Sequence, residues 1–217
     1  SKSVTQDELV SRGEYFSAKL MAAFLGFQFI DSANWVKFKF DGTVDQESSY
    51  EALRNLVVLG QGAVIPGFYG LMPDGHIRTF TRGGSDITGA LAAAALNADV
   101  YENWTDVDGI HICDPKIVED SKPVAQVSFR ELREMSYMGA SVLHAETLLP
   151  IYETPIPIHL KNTFAPHMVG TEILKKRTKL DEKETITCIT GKNDYTCIQI
   201  SKMMLDKQLG FVKKVTS

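Results

Sequence analysis

The chain has 217 residues, 44% of them hydrophobic and 23% charged, and its 27 acidic residues against 23 Lys and Arg leave a formal net charge of −4. That is apolar material for one large domain and part of another, and it leaves no basic stripe of the kind that follows a nucleic acid backbone, so nucleic acid is not an expected partner. The alanine-rich run from Ala90 to Ala98 falls far short of the roughly 20 apolar residues that span a bilayer, no export-type segment opens the chain, and Cys113, Cys188 and Cys197 form no CxxC pair; a reduced, cytoplasmic setting away from membranes is expected.

Between Gly13 and Leu25, Phe16, Leu20, Phe24 and the neighbouring Met21 recur at helical spacing, which predicts a helix buried through those side chains and closed by Gly26. The runs "FQFIDS" and "WVKFKF" read as short strands, and Tyr50 to Leu56 as a short helix. The stretch "LVVLGQGAVIPGFYG" reads as a buried strand that ends in a hairpin around the turn Met72 to Gly75. Asp86 to Asn97 is helical by its Ala and Leu content and Asp99 to Trp104 is strand-like. Ser128 to Gly139 is an amphipathic helix using Phe129, Leu132, Met135 and Tyr137. Alternating helices and strands predict an α/β fold with a parallel or mixed sheet.

The charge-dense segment Lys175 to Glu184 reads as an inter-domain linker. After it, "TITCITG", the turn "KND", "YTCIQI", a helix from Lys202 to Leu209 and "FVKKV" form the opening of a small α+β module.

The segment Arg82-Gly83-Gly84-Ser85-Asp86 stands where a helix begins. Free backbone N–H groups and the positive end of the helix dipole suit an anion there, and the Arg82 fork suits a carboxylate. The same five residues also read as an ordinary turn with a Ser-Asp helix cap. Thr105-Asp106 and Asp108-Gly109 follow a strand-like run, and ligands of open α/β sheets sit at the carboxyl ends of strands. Asp106-x-Asp108 lacks the remaining ligands of a calcium loop, and Gly60-x-Gly62 lacks the dinucleotide spacing. The five histidines never pair at helical ligand spacing, so no metal cage is expected.

In order and spacing, "TRGGSD", "NADVYENWTDVDGIHICDPK", "FRELREMSYMGASVLHAETLLP" and "IPIHLKNTFAPHMVGTEI" resemble the aspartate kinases of the amino acid kinase superfamily. The front stretch "SRGEYFSAKLMAAFL" is similar to the family's Gly-Glu helix, and the tail to the start of an ACT regulatory domain. The resemblance implies a three-layer αβα amino-acid-kinase fold, partial here, over residues 1–174, a linker at 175–184, and the start of a ferredoxin-like α+β ACT domain at 185–217. It implies transfer of a phosphoryl group from ATP, carried with Mg2+, to the side-chain carboxylate of L-aspartate. The product, 4-phospho-L-aspartate, opens lysine, threonine, methionine and diaminopimelate biosynthesis. No prosthetic group is implied. A feedback amino acid, lysine or threonine, would bind the ACT region, and the intact protein would be a homodimer or larger.

Carried over to matching positions, the resemblance makes Arg82 and Asp86 catalytic and gives Glu14, Arg82, Ser85 and Asp86 to aspartate. Thr105, Asp106, His111, Asp114, Lys116 and Ser141 fall on the ATP side. Three departures stand out. The family's opening "KFGG" strand, whose lysine bridges the phosphates, is not in this sequence, so the chain resembles the later part of the enzyme and is expected to be inactive alone. Ser141 stands in "GASVLHA" where a lysine is usual, and a hydroxyl supplies no charge. Lys116 replaces an arginine fork with a point charge. Glutamate, acetylglutamate or UMP kinases of the same fold, and a separate regulatory subunit, are the alternatives.

Overall fold

The computed structural model describes residues 4–138, 143, 145–177 and 186–191. Ser141, Cys197 and most of the expected linker and second module lie outside these described residues.

Helix α1 spans Gln6–Leu25 and so begins well before Gly13. Thr5 caps it by accepting the Glu8 N–H at 3.2 Å, Asp7 and Glu8 complement its dipole, and Gly26 ends it in the left-handed region at φ 68°. Its orientation corrects the sequence reading. The residues α1 buries are Ser11, Ala18 and Ala22, whereas Phe16, Leu20 and Phe24 are 63%, 74% and 83% exposed and Met21 is also exposed. The apolar stripe exists but points away from the body, because α1 packs closely on short strands through its small residues. Tyr15 alone brings a ring inward, edge-on to Phe29 at 5.2 Å.

Strand β1, Gln28–Phe29, pairs in parallel with β2, Ala63–Val64. Between them lie a single 3-10 turn at Ser32–Asn34 and helix α2, Gln46–Leu56, which Asp45 caps. "WVKFKF" forms isolated bridges rather than the expected strand, because Trp35, Val36 and Phe38 all enter the core instead of alternating across a sheet. The expected long buried strand is likewise two pieces. After β2 the chain leaves the β1 pair, and β3 (Tyr69–Leu71) forms an antiparallel hairpin with β4 (Ile77–Thr79) around the Met72–Gly75 turn.

Helix α3 runs Gly84–Leu96 and ends at Asn97 with φ 49°. Ala90, Ala93 and Ala94 enter one core cluster and Leu91 and Ala95 the other. A helix wedged between two cores has room for few large side chains, which accounts for its alanines. Strand β5 (Tyr101–Thr105), β6 (Gln126–Ser128), helix α4 (Phe129–Tyr137), the short α5 (Leu149–Tyr152), β7 (Ile158–Asn162) and β8 (Thr171–Leu174) follow. The four strands form one mixed sheet in the order β5-β7-β8-β6, with β7 and β8 antiparallel and both outer pairs parallel.

Val127, Ile158, Leu160 and Ile173 project from one face of that sheet into the larger core with Leu132, Leu148 and Ile151. Tyr137, expected with them, is exposed at the helix end. The other face is polar: Lys161 Nζ lies 3.5 Å from Glu102 and 4.8 Å over the Trp104 ring, and His159 pairs with Glu172 at 3.4 Å.

Residues 186–191 lie against this body. Thr187 donates its hydroxyl to Glu131 at 2.8 Å, and Arg177 bonds Thr187 at 3.0 Å and Glu131 at 3.4 Å. Cys188 packs on the larger core.

Candidate functional site

The geometry at the start of α3 comes from glycines at positions where a side chain would not fit. Gly83 sits at φ 59°, and a Cβ there would run into the Thr147 methyl. A Cβ on Gly84 would lie 2.6 Å from Phe68 Cβ, and one on Gly67 would lie 2.7 Å from the Ser85 hydroxyl. Two backbone segments, Pro66–Phe68 and Gly83–Ser85, are therefore in direct contact. Phe68 is held there at φ 64°, a left-handed conformation uncommon for an aromatic residue. Its N–H donates to Thr88 Oγ1 at 3.0 Å, and its carbonyl accepts the Phe80 N–H at 2.9 Å. Thr88 in turn donates to the Gly84 carbonyl at 2.7 Å.

Helix α3 begins at Gly84, so Ser85 and Asp86 stand in its first turn and do not cap it; no side chain caps this helix. Arg82 and Ser85 flank this helix start and are exposed, with Gly84 buried between them; an uncapped helix start beside a cation is an arrangement that can hold an anion.

Asp86 is fixed from β5. Asn103 donates its amide to Asp86 Oδ1 at 2.8 Å and to the Tyr101 hydroxyl at 3.2 Å, and the Tyr101 hydroxyl donates to the Asp86 carbonyl at 3.3 Å. The Tyr101 ring lies on Gly89, where a Cβ would stand 2.7 Å from the phenol oxygen. Burial pushes the Tyr101 phenol up to about 12, with the nearby Asp86 carboxylate adding to the rise against a lowering bond from Asn103. Tyr101 is thus a neutral donor at any physiological pH. Sequence reading missed Tyr101 and Asn103; the available signal is strand alternation, which places 101, 103 and 105 on one face.

Thr105 ends β5, and its carbonyl accepts the Thr163 N–H at 2.8 Å. Thr105 Oγ1 donates to exposed Asp106 at 3.2 Å. Asp108 accepts from Asn162 Nδ2 at 2.6 Å, and the Ile110 N–H donates to Thr171 Oγ1 at 2.9 Å. The Thr105–Ile110 loop is thereby held at the carboxyl ends of the parallel pair β5 and β7, where open α/β sheets take ligands.

His111 is engaged locally, its Nδ1 lying 3.0 Å from the Ser121 carbonyl. Asp114 accepts the Lys116 N–H at 2.9 Å and shapes an exposed turn that presents the Lys116 side chain. Glu14 is exposed on α1. It lies two turns beyond Asp7 on the same side of the helix, and Asp7 accepts from the Thr79 hydroxyl at 3.0 Å at the end of β4. That contact anchors α1 to the strand leading into Arg82. The structure thus ties Asp86 to β5 through Asn103, two residues before Thr105, keeps Arg82 and Ser85 beside Asp86 in the chain, and leaves Glu14 on the neighbouring helix without a direct contact to them.

Residues 1–162 match the amino acid kinase family. Aspartokinase 3 of Bacillus subtilis is 36% identical over 96% of the chain, which covers 47% of that protein. The aspartate kinase of Clostridium acetobutylicum superposes with a TM-score of 0.86 at 43% identity, over 98% of this chain and 49% of that one. Escherichia coli aspartokinase III, solved with aspartate and ADP, gives a TM-score of 0.73 at 33% identity over 79% of this chain and 41% of that one. The chain spans about half the length of the curated relatives it matches.

Proposed function

The chain belongs to the amino acid kinase family, and from that membership we propose that the protein containing it is an aspartate kinase, forming 4-phospho-L-aspartate from ATP and L-aspartate. The observation that carries this reading is the pinned pair of loops: an uncapped α3 N-terminus with Arg82, Ser85 and Asp86 on one side, and the Thr105–Asp106 end of β5 on the other, joined through Asn103. It is supported by the solved Escherichia coli relative, whose complex contains aspartate and ADP.

The chemistry suits these residues. An aspartate side chain with an ordinary pKa of about 4 is already ionised at neutral pH, so the nucleophile needs no general base. The difficulty is bringing two anions together, and positioning with charge neutralisation supplies the catalysis. Arg82 and the α3 N-terminus hold the substrate's negative groups, Glu14 pairs with its ammonium, and Asp86 orients groups about the transferred phosphoryl. Thr105, Asp106 and the His111–Lys116 segment take the nucleotide, which brings Mg2+ on its phosphates, and Ser141 lies on the same side.

We assign residues 1–174 to the catalytic domain, 175–184 to a linker and 185–217 to the opening of an ACT domain. A feedback amino acid binds there in the intact homodimer or larger assembly; lysine is the first candidate, since it accompanies aspartate in a second Escherichia coli aspartokinase III structure. A hydroxamate assay on the full-length protein tests the reading. Hydroxamate formation from aspartate and ATP is expected. Activity on glutamate, acetylglutamate or UMP with none on aspartate would assign it to another kinase of this fold, and no phosphotransfer at all to a regulatory subunit.

A further inference from the structure

Cys113 and Cys188 flank a single backbone hydrogen bond. The Ile189 N–H donates to the Ile112 carbonyl at 2.6 Å. That carbonyl belongs to the peptide unit entering Cys113, and that N–H to the unit leaving Cys188, so both cysteine Cα atoms are attached to the two bonded peptide groups. One hydrogen bond between the two peptide units thus brings the cysteine Cα atoms close to the ~4.4–6.8 Å that a disulfide spans. The Cys188 thiol lies 3.4 Å from the His111 carbonyl, and the Cys113 sulfur 3.4 Å from the Ser121 hydroxyl. Both thiols are free and half-buried.

We propose that Cys113 and Cys188 form a redox-active dithiol whose oxidation closes a disulfide between the 186–191 segment and the His111–Ser121 loop. Burial pushes the Cys188 thiol up, and neighbouring Cys113 raises it further, which suits Cys188 to the second, intramolecular step. With a low-molecular-weight disulfide such as oxidised glutathione, the Cys113 thiolate attacks one glutathione sulfur and a glutathione thiolate leaves. Cys188 gives its proton to solvent, attacks the Cys113 sulfur of the mixed disulfide, and expels the second glutathione thiolate. The protein loses two electrons and two protons, and one oxidised glutathione becomes two reduced ones.

The bond would fasten the segment that carries Thr187, and through it Arg177 and Glu131, to the loop that carries Asp114 and Lys116. Its effect on nucleotide binding rests on the proposed function; formation of the bond does not.

The full-length protein is incubated with oxidised glutathione, digested without reduction and mapped by mass spectrometry. A Cys113 peptide joined to a Cys188 peptide, two hydrogens lighter than their sum and released by dithiothreitol, is expected. Either Cys113→Ser or Cys188→Ser should abolish it. Separate glutathione adducts on the two cysteines, or a Cys188–Cys197 link in place of the pair, would overturn the proposal. ADP titration separates the two levels. A several-fold, dithiothreitol-reversible change in ADP Kd supports both, whereas the mapped crosslink with an unchanged Kd supports the dithiol and removes the His111–Lys116 loop from the nucleotide site.

Discussion

Asn103 on β5 holds Asp86 on α3: one side-chain amide reaches the Asp86 carboxylate at 2.8 Å and the Tyr101 hydroxyl at 3.2 Å. A hydrogen bond to a charged group contributes about 1.5–3 kcal/mol, so if Asp86 must be aimed for phosphoryl transfer, Asn103→Ala should lower kcat roughly tenfold to a hundredfold. Asn103→Asp tests the charge as well as the geometry. It sets two carboxylates against each other, which favours a shared proton, and should move the acid limb of the kcat/KM profile of the full-length enzyme to higher pH. Wild-type kinetics in both variants would show that Asp86 needs no such support.

Gly83 tests the close approach at the start of α3. A left-handed φ costs an ordinary residue about 1–3 kcal/mol, and here the added methyl also meets the Thr147 methyl. Gly83→Ala should therefore destabilise by more than the backbone cost alone, as read from urea unfolding. Adding Thr147→Ser removes the opposing methyl and should recover the steric part while leaving the backbone part. Equal stability of the single and double variants would deny the contact.

The elements legible in the sequence are those whose pattern is local. α2, α3, α4 and the β3–β4 turn follow from apolar spacing, alanine content and turn residues; α3 differs from its expected span only at its ends, and α2 begins four residues before Tyr50. What failed is what depends on partners. Phe16, Leu20 and Phe24 repeat at helical spacing as a buried face would, but periodicity gives a stripe and not its direction, and the body takes the Ser11–Ala18–Ala22 side. "WVKFKF" has strand composition, yet Trp35, Val36 and Phe38 are consumed by the core around Leu53 while Phe40 stays exposed. The glycine-flanked motif from Arg82 to Asp86 was readable because local backbone geometry dictates it. Asn103 and Tyr101 were not, since their role depends on β5 lying beside α3.

Glu131 gives a pH dependence with a definite sign. Burial alone would raise its carboxyl, but bonds from the Ser128 backbone and hydroxyl, then from Thr187 and Arg177, outweigh that and hold it below the usual carboxylate range. A depressed folded-state value means the unfolded chain takes up the proton first, so the stability is present above the unfolded value of about 4.3 and is lost as pH falls through the folded one. Glu131→Gln should lower Tm at neutral pH and flatten the fall of Tm below about pH 4.3. An unchanged acid slope in the variant would show that other carboxylates carry it.

Arg82 separates binding from folding. Its side chain is exposed and makes no hydrogen bond to the other described residues, so its removal should change stability by no more than about 0.5 kcal/mol, as at an ordinary surface site. If its guanidinium grips a substrate carboxylate through two parallel bonds, Arg82→Ala loses charge and fork together, and the aspartate KM should rise at least tenfold with a lower kcat. Arg82→Lys keeps the charge but not the planar fork, and should fall between the two in KM while matching wild type in ATP KM. A stable Arg82→Ala enzyme with the wild-type aspartate KM would remove Arg82 from the substrate site and leave the α3 N-terminus as its remaining anion-binding group.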